Sequence, residues 1–169
     1  FWGWLNRSID IAEKDYRGLV IGNQADNFSV GANLAMVMMM AVEQDWYELN
    51  MAIAMFQQTS MKLRYSSIPV IAAPFGMTLG GGCEFSMHAD KIVAAAETYI
   101  GLVEVGVGLI PGGGGTKEFA LRALKGTLPD DVKTNHLRNY FMNIATAKVA
   151  TSAWEAKQMG ILTDKDIIV

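Results

Sequence analysis

The chain has 169 residues, of which 51% are hydrophobic and 18% charged, enough for one domain with a real core and too apolar for a disordered chain. A net charge of −3 without a Lys/Arg cluster argues against a nucleic-acid platform. The single cysteine, Cys83, excludes an internal disulfide and fits a reducing, cytoplasmic setting; with only His88 and His136 besides, a zinc site of the usual ligands is not expected.

Trp2 to Asp15 reads as a helix, with Leu5, Ile9 and Ala12 at helical spacing. The opening Phe1-Trp2-Gly3-Trp4 has neither an initiator Met nor the charged region of a signal peptide, so the chain reads as a piece of something longer. Leu19-Val20-Ile21 is a short buried strand stopped by Gly22-Asn23, and Phe28 to Leu34 is a loop turning at Gly31. The apolar run Ala35 to Val42 falls short of the ~18 residues of a membrane span. Its methionines, Met36 to Met40, suit either core filler or, following the turn at Gly31, a pliable acyl pocket.

Trp46 to Tyr65 is an amphipathic helix carrying Leu49, Ile53, Phe56 and Leu63 on one face. Pro69 to Ala73 is a second buried strand, broken by Pro74-Phe75-Gly76. A helix starts at or just after Gly82, followed by strands at Lys91 to Ala94 and Thr98 to Leu102. Thr116 to Lys125 is helical. Pro129-Asp130-Asp131 opens a further helix to about Val149, with Leu137, Phe141, Ile144 and Lys148 on or near one side. Ser152 to Glu155 has capping-box spacing, Gly160 is a natural C′ residue, and Ile167 to Val169 reads as a strand. Strands alternating with helices make the class α/β.

The chemistry concentrates between Leu79 and Thr116. Two glycine runs, Gly80 to Gly82 and Gly112 to Gly115, flank two carboxylates, Glu84 and Glu104, in apolar surroundings. Glycine lets backbone N–H groups approach a ligand, and a helix start leaves such groups unpaired for a phosphate or a developing oxyanion. A tight packing turn accounts for the same glycines equally well. Neither run is a nucleotide motif. A dinucleotide fingerprint needs glycine where Phe85 stands, and in the second run Thr116 precedes Lys117, the reverse of a phosphate loop, so that run is better read as a turn packed close to an acyl site. Glu84 in a first helical turn also suits the helix dipole. Glu104 has no neighbouring cation in sequence. Two carboxylates sharing a pocket separate each other's titration, which suits moving water beside a carbonyl. Cys83 lacks a basic partner and reads as core, and His88 reads as a surface or hydrogen-bonded histidine rather than a base.

Taken in order, Phe28-Ser29-Val30-Gly31-Ala32-Asn33-Leu34, Pro69-Val70-Ile71-Ala72-Ala73, Leu79-Gly80-Gly81-Gly82-Cys83-Glu84 and Gly108-Leu109-Ile110-Pro111-Gly112-Gly113-Gly114-Gly115-Thr116 resemble the crotonase (enoyl-CoA hydratase/isomerase) superfamily. The resemblance covers roughly 18–125, more weakly 151–162. The wording from Gly101 to Pro111 is most similar to the crotonase region of bacterial multifunctional 3-hydroxyacyl-CoA dehydrogenases. It implies a crotonase-like spiral of β-β-α units as a single domain over 1–169, truncated at both ends, with 18–125 as its core and 126–169 an incomplete helical C-terminal part.

The resemblance further implies an enoyl-CoA hydratase of fatty-acid β-oxidation. Glu84 and Glu104 are the catalytic pair, twenty residues apart as in family hydratases, with Ala32 and Gly81 as oxyanion-hole amides. Ser29, Gly31, Asn33, Leu34, Gly80, Gly82, Pro111 and Gly112 line the substrate and CoA site. No cofactor or metal is expected for hydration, since CoA arrives with the acyl-CoA thioester; NAD belongs to a dehydrogenase domain outside this region. A homo-oligomer or a fused dehydrogenase is the expected partner, with no membrane span. Family alternatives are a Δ3-Δ2-enoyl-CoA isomerase and a non-catalytic acyl-CoA-binding domain. The chain departs from the pattern at three places: Asn33 stands for the usual Asp, Val103 for a frequent Pro, and the pair Pro74-Phe75 for the usual lead into Gly76.

Overall fold

The chain winds through three successive turns of strand, strand and helix, seen in a computed structural model that describes residues 2–169. After α1 (Trp2–Asp15), the first turn comprises β1 (Leu19–Ile21), the single bridging residue Ser29, and helices α2 (Leu34–Val42) and α3 (Trp46–Arg64). The second is β2 (Val70–Ala72), β3 (Met77–Leu79) and α4 (Gly81–His88). The third is β4 (Lys91–Ala94), β5 (Tyr99–Gly101), a 3-10 turn (Glu104–Val107) and α5 (Gly115–Leu124). Then follow α6 (Lys133–Ala145), β6 (Val149–Ala150), α7 (Ala153–Gln158) and β7 (Ile167–Ile168).

Equivalent strands of successive turns stack side by side. One sheet runs β1-β2-β4-β7, all parallel, with Leu19 beside Val70 and Ile71 beside Lys91. In the other, Ser29 bridges Thr78 in parallel, β3 pairs β5 in parallel, and β6 closes the edge antiparallel to β5. The repeat lies in geometry rather than in residue identity.

Helix α4 occupies the centre, and Gly82 to His88 are all buried. Cys83 and Met87 face a core that includes Ile92, Ile100, Leu102, Phe119 and Ile161. Phe85 and Ala89 face a second core with Ile9, Leu63 and Val70. Phe56 and Phe85 meet at 5.0 Å between ring centroids, tying α3 to α4. A helix buried on every side needs no polar stripe, which is why its amphipathic signal is weak.

Several expectations need correction. Met77–Leu79 is a strand that the sequence reading did not separate from the loop before it. The helix expected from Pro129 to Val149 spans only Lys133–Ala145. Asp131 accepts the Leu128 amide at 2.7 Å and closes a turn ahead of it, while Ala147 takes a left-handed φ of +48° and ends it. Val149 lies in β6, so 126–169 is not purely helical. The helix turns Tyr140 and Ile144 toward the core, leaving Phe141 exposed. The methionine run is not core filler: no residue of α2 is buried, and Met36, Met38 and Met39 are more than half exposed.

Candidate active site

The three turns bring the predicted residues together, because each lies just past the end of a strand, or strand-like residue, in the same sheet. Ser29 accepts the Leu79 amide at 2.8 Å and donates its own to Met77 at 3.0 Å, so the loop carrying Gly31 and Ala32 runs beside β3. Gly31 turns with φ +94° and gives its amide to Ser29 Oγ at 3.3 Å. The neighbouring strand β3 runs into Gly80 and Gly81, the start of α4. Next to it β5 leads to Glu104, and the Gly80 amide reaches the Gly101 carbonyl at 2.9 Å. The Ala32 amide and the Gly81 amide, at a helix start, donate to no other group among the described residues.

Gly80 adopts φ +54°, ψ −122°, a conformation that side chains resist, and a Cβ there would lie 3.1 Å from Glu104 Oε1. Glu104 therefore packs against the start of α4. It is half-buried, its Oε2 has no hydrogen-bond partner, and burial raises its pKa above the usual carboxylate range.

Glu84 is 1% exposed. Its Oε1 accepts the Gly115 amide at 2.8 Å, and the amides of Gly113 and Gly114 also favour its charged form. Glu84 thus complements the dipole of α5, a helix other than its own. Burial is the larger influence, and together with the nearby charge of Glu104 it raises the pKa to about 7. The second glycine run is shaped for this contact. A Cβ on Gly115 would lie 3.0 Å from Glu84 Oε1, and one on Gly113 would overlap the Phe56 ring.

The other predicted positions divide by role. The Asn33 side chain caps α2, accepting the amides of Ala35 at 3.1 Å and Met36 at 3.3 Å, and Leu34 begins that helix, exposed. Gly82 is buried with no room for a side chain, since a Cβ would sit 2.5 Å from Ser29 Cβ. Pro111 is buried, and the Gly112 carbonyl accepts Gln57 Nε2 at 2.8 Å. Cys83 packs in the core, its pKa raised well above that of a free thiol by burial and by the two glutamates.

Sequence reasoning missed a buried ionic cluster behind Glu84. The Glu118 carboxylate, fully buried, lies 2.7 Å from Arg64, 3.0 Å from Lys117 and 3.9 Å from Arg122. His88, also fully buried, approaches it to 3.7 Å. The available signal was periodicity: Glu118 shares the inward face of α5 with Gly115, Phe119 and Ala123.

Residues 5–164 match the model of the enoyl-CoA hydratase/isomerase family. The chain is 50% identical over 165 residues to a protein of Bacillus subtilis (strain 168) named "Probable 3-hydroxyacyl-CoA dehydrogenase", an alignment covering 97% of this chain and 20% of that one. It is 30% identical over 166 residues to a fatty acid oxidation complex subunit alpha of Idiomarina loihiensis, covering 85% and 23%. A solved enoyl-CoA hydratase from Thermoplasma volcanium GSS1 superposes with a TM-score of 0.80 at 25% identity, over 99% of this chain and 60% of that one. The chain thus spans about a fifth of the length of these curated relatives. With its core and site motifs all inside the matched region, the chain belongs to the enoyl-CoA hydratase/isomerase family and has the crotonase fold.

Proposed function

We propose that this chain is the hydratase region of a fatty-acid β-oxidation protein, adding water across the α,β double bond of a 2-trans-enoyl-CoA to give 3-hydroxyacyl-CoA. The observation that carries this reading is Glu84: a buried carboxylate, held by a helix-start amide, with a pKa of about 7 beside a second carboxylate. A base poised near the working pH is partly ionised and still strong enough to take a proton.

In this reading the Ala32 and Gly81 amides donate to the thioester oxygen. Glu84 takes a proton from water as the water oxygen bonds to Cβ. The π electrons move toward the carbonyl, and the resulting enolate charge rests on the two amides. The coupled pair shares one proton; in the reactive form it sits on Glu104, which delivers it to Cα, and proton exchange restores the pair. CoA enters as part of the substrate. A dehydrogenase in the same polypeptide, using NAD, would oxidise the 3-hydroxyacyl product, and assembly into a homo-oligomer belongs to the same proposal.

The test is hydration of crotonyl-CoA by the intact protein, compared with Glu84→Gln and Glu104→Gln. Losses of about 10²-fold or more in both variants support the paired-carboxylate mechanism; wild-type rates in both end it. Conversion of a 3-enoyl-CoA without hydration would identify an isomerase, and acyl-CoA binding without turnover a binding domain.

A further inference from the structure

The buried cluster behind Glu84 has a geometry that bears on the site. His88 lies one helical turn after Glu84 on α4. Its Nδ1 is 2.6 Å from the Glu84 carbonyl oxygen, which only accepts, so Nδ1 carries the proton and donates. Its other nitrogen, Nε2, has no hydrogen bond and faces Glu118 Oε1 across 3.7 Å, an oxygen that is itself 3.0 Å from the Lys117 ammonium. The ring also presses on the turn that serves Glu84: a Cβ built on Gly114 would lie 2.9 Å from both His88 Cε1 and Nε2. Gly114 holds φ +112°, and its carbonyl accepts the Glu118 amide at 2.9 Å, closing the first turn of α5.

The imidazole is thus a spacer between α4 and the start of α5, anchored to one by Nδ1 and facing the other across Nε2. On the far side Glu118 is fastened to α3 through Arg64 and lies within ion-pair distance of Lys117. An aliphatic side chain would fill this space without burying a bare ring nitrogen, which is costly. The polar spacer stands directly behind the amide that grips Glu84.

We propose that His88 and Glu118 are positioning residues for Glu84: they fix the turn from Gly113 to Gly115 so that its amides rest on the Glu84 carboxylate. The proposal builds on the reading of Glu84 as the base. The charged and titratable groups around the ring are Glu118 and Lys117 from α5, Arg64 from α3, and Glu84 on its own helix.

Two readouts on the intact protein test it. The first is the acid limb of kcat/KM for crotonyl-CoA hydration. The second needs no turnover: the pH dependence of the Tm difference between each variant and the same variant carrying Glu84→Gln, which reports Glu84 titration in the folded state. In His88→Leu the amides loosen their hold on the charged carboxylate, so both midpoints move up by about one pH unit. kcat falls about tenfold while KM stays within about twofold. In His88→Gln, whose amide restores polar contact, both midpoints lie between those of parent and His88→Leu. Because His88 and Glu118 act through one turn, His88→Leu with Glu118→Gln loses no more kcat than the worse single variant.

Unchanged midpoints in His88→Leu and His88→Gln, with only Tm lowered, overturn the proposal, as do losses in the double variant that multiply. Should His88→Leu fail to fold, His88→Gln carries both readouts. If the parent lacks hydratase activity but the thermal midpoint still moves, the proposal stands and the hydratase reading falls.

Discussion

Gly115 donates its amide to Glu84 Oε1 at 2.8 Å, which sets the start of one central helix against a carboxylate carried by another. Two influences oppose each other there. Burial favours the neutral acid, and the amides of the second glycine run favour the anion, leaving a group that titrates at about 7.

Replacing Glu84 with Gln tests that balance through stability. The folded pKa, about 7, lies above the ordinary value of 4.5, so the stability contributed by the protonated acid is fully present below pH 4.5 and is lost as pH rises through 7. Glu84→Gln cannot ionise and escapes that loss. Its Tm therefore gains on the parent between pH 5 and pH 8, by an amount corresponding to on the order of 2–3 kcal/mol. Thermal melts at a series of pH values measure it. An equal Tm difference at both ends of the range contradicts the raised pKa.

Gly80→Ala tests the contact between the first glycine run and Glu104. The substitution forces a side chain into φ +54°, ψ −122° and brings a Cβ to 3.1 Å from Glu104 Oε1. Strain of about 1–3 kcal/mol is expected, with loss of hydratase activity as the carboxylate is displaced. Gly108→Ala is the comparison. Its φ of +77° with ψ +16° is left-handed, but nothing lies within 4 Å of the added Cβ. It lowers stability by about 1 kcal/mol without displacing Glu104. Denaturant unfolding and crotonyl-CoA hydration, measured on both, separate strain from displacement.

Arg122 joins three parts of the second half of the chain. Its guanidinium donates to the carbonyls of Met87 at 3.0 Å, Gly160 at 2.9 Å and Ile161, and approaches Glu118 at 3.9 Å. Arg122→Ala leaves those carbonyls unserved and removes one cation from the buried Glu118 carboxylate. The expected cost is about 3–5 kcal/mol, or roughly 10 °C in Tm. A Tm within 2 °C of the parent contradicts this account.

Much of the fold was legible because its signals are local. Apolar residues at helical spacing mark α1 and α3, short apolar runs bounded by Gly or Pro mark β1 and β2, and the apolar run after Asp90 marks β4. Strand β3 was not legible. Three residues between Pro74-Phe75-Gly76 and a glycine triplet show no alternation, and what makes them a strand is pairing with Tyr99–Gly101. The early end of α6 rests on Ala147 at positive φ, a conformation alanine does not advertise. The methionines of α2 suit a pliable acyl pocket or core filler in the sequence, because helix period alone does not say what covers a face; the fold leaves Met36, Met38 and Met39 exposed. At the site, Glu84, Glu104 and both glycine runs stand out in the sequence. That the second run grips Glu84, and that Glu118 is buried among cations, depends on contacts between residues 31 to 54 positions apart, which no local pattern encodes.

Glu104→Gln provides a test of how the two carboxylates act on each other. The negative charge of Glu104 raises the Glu84 pKa, so removing that charge lowers it. In the variant the Glu84 titration seen in pH-dependent melts therefore moves below the parental value of about 7, opposite to the shift expected of His88→Leu. Any residual hydration extends its acid limb to lower pH in the same direction. If Glu104 delivers a proton to Cα, kcat falls by about 10²-fold or more while KM changes little, because its proton is spent in the transition state rather than in binding. A Glu84 midpoint that stays in place shows the two carboxylates to be electrostatically independent, and with that the division of labour between base and acid loses its physical basis.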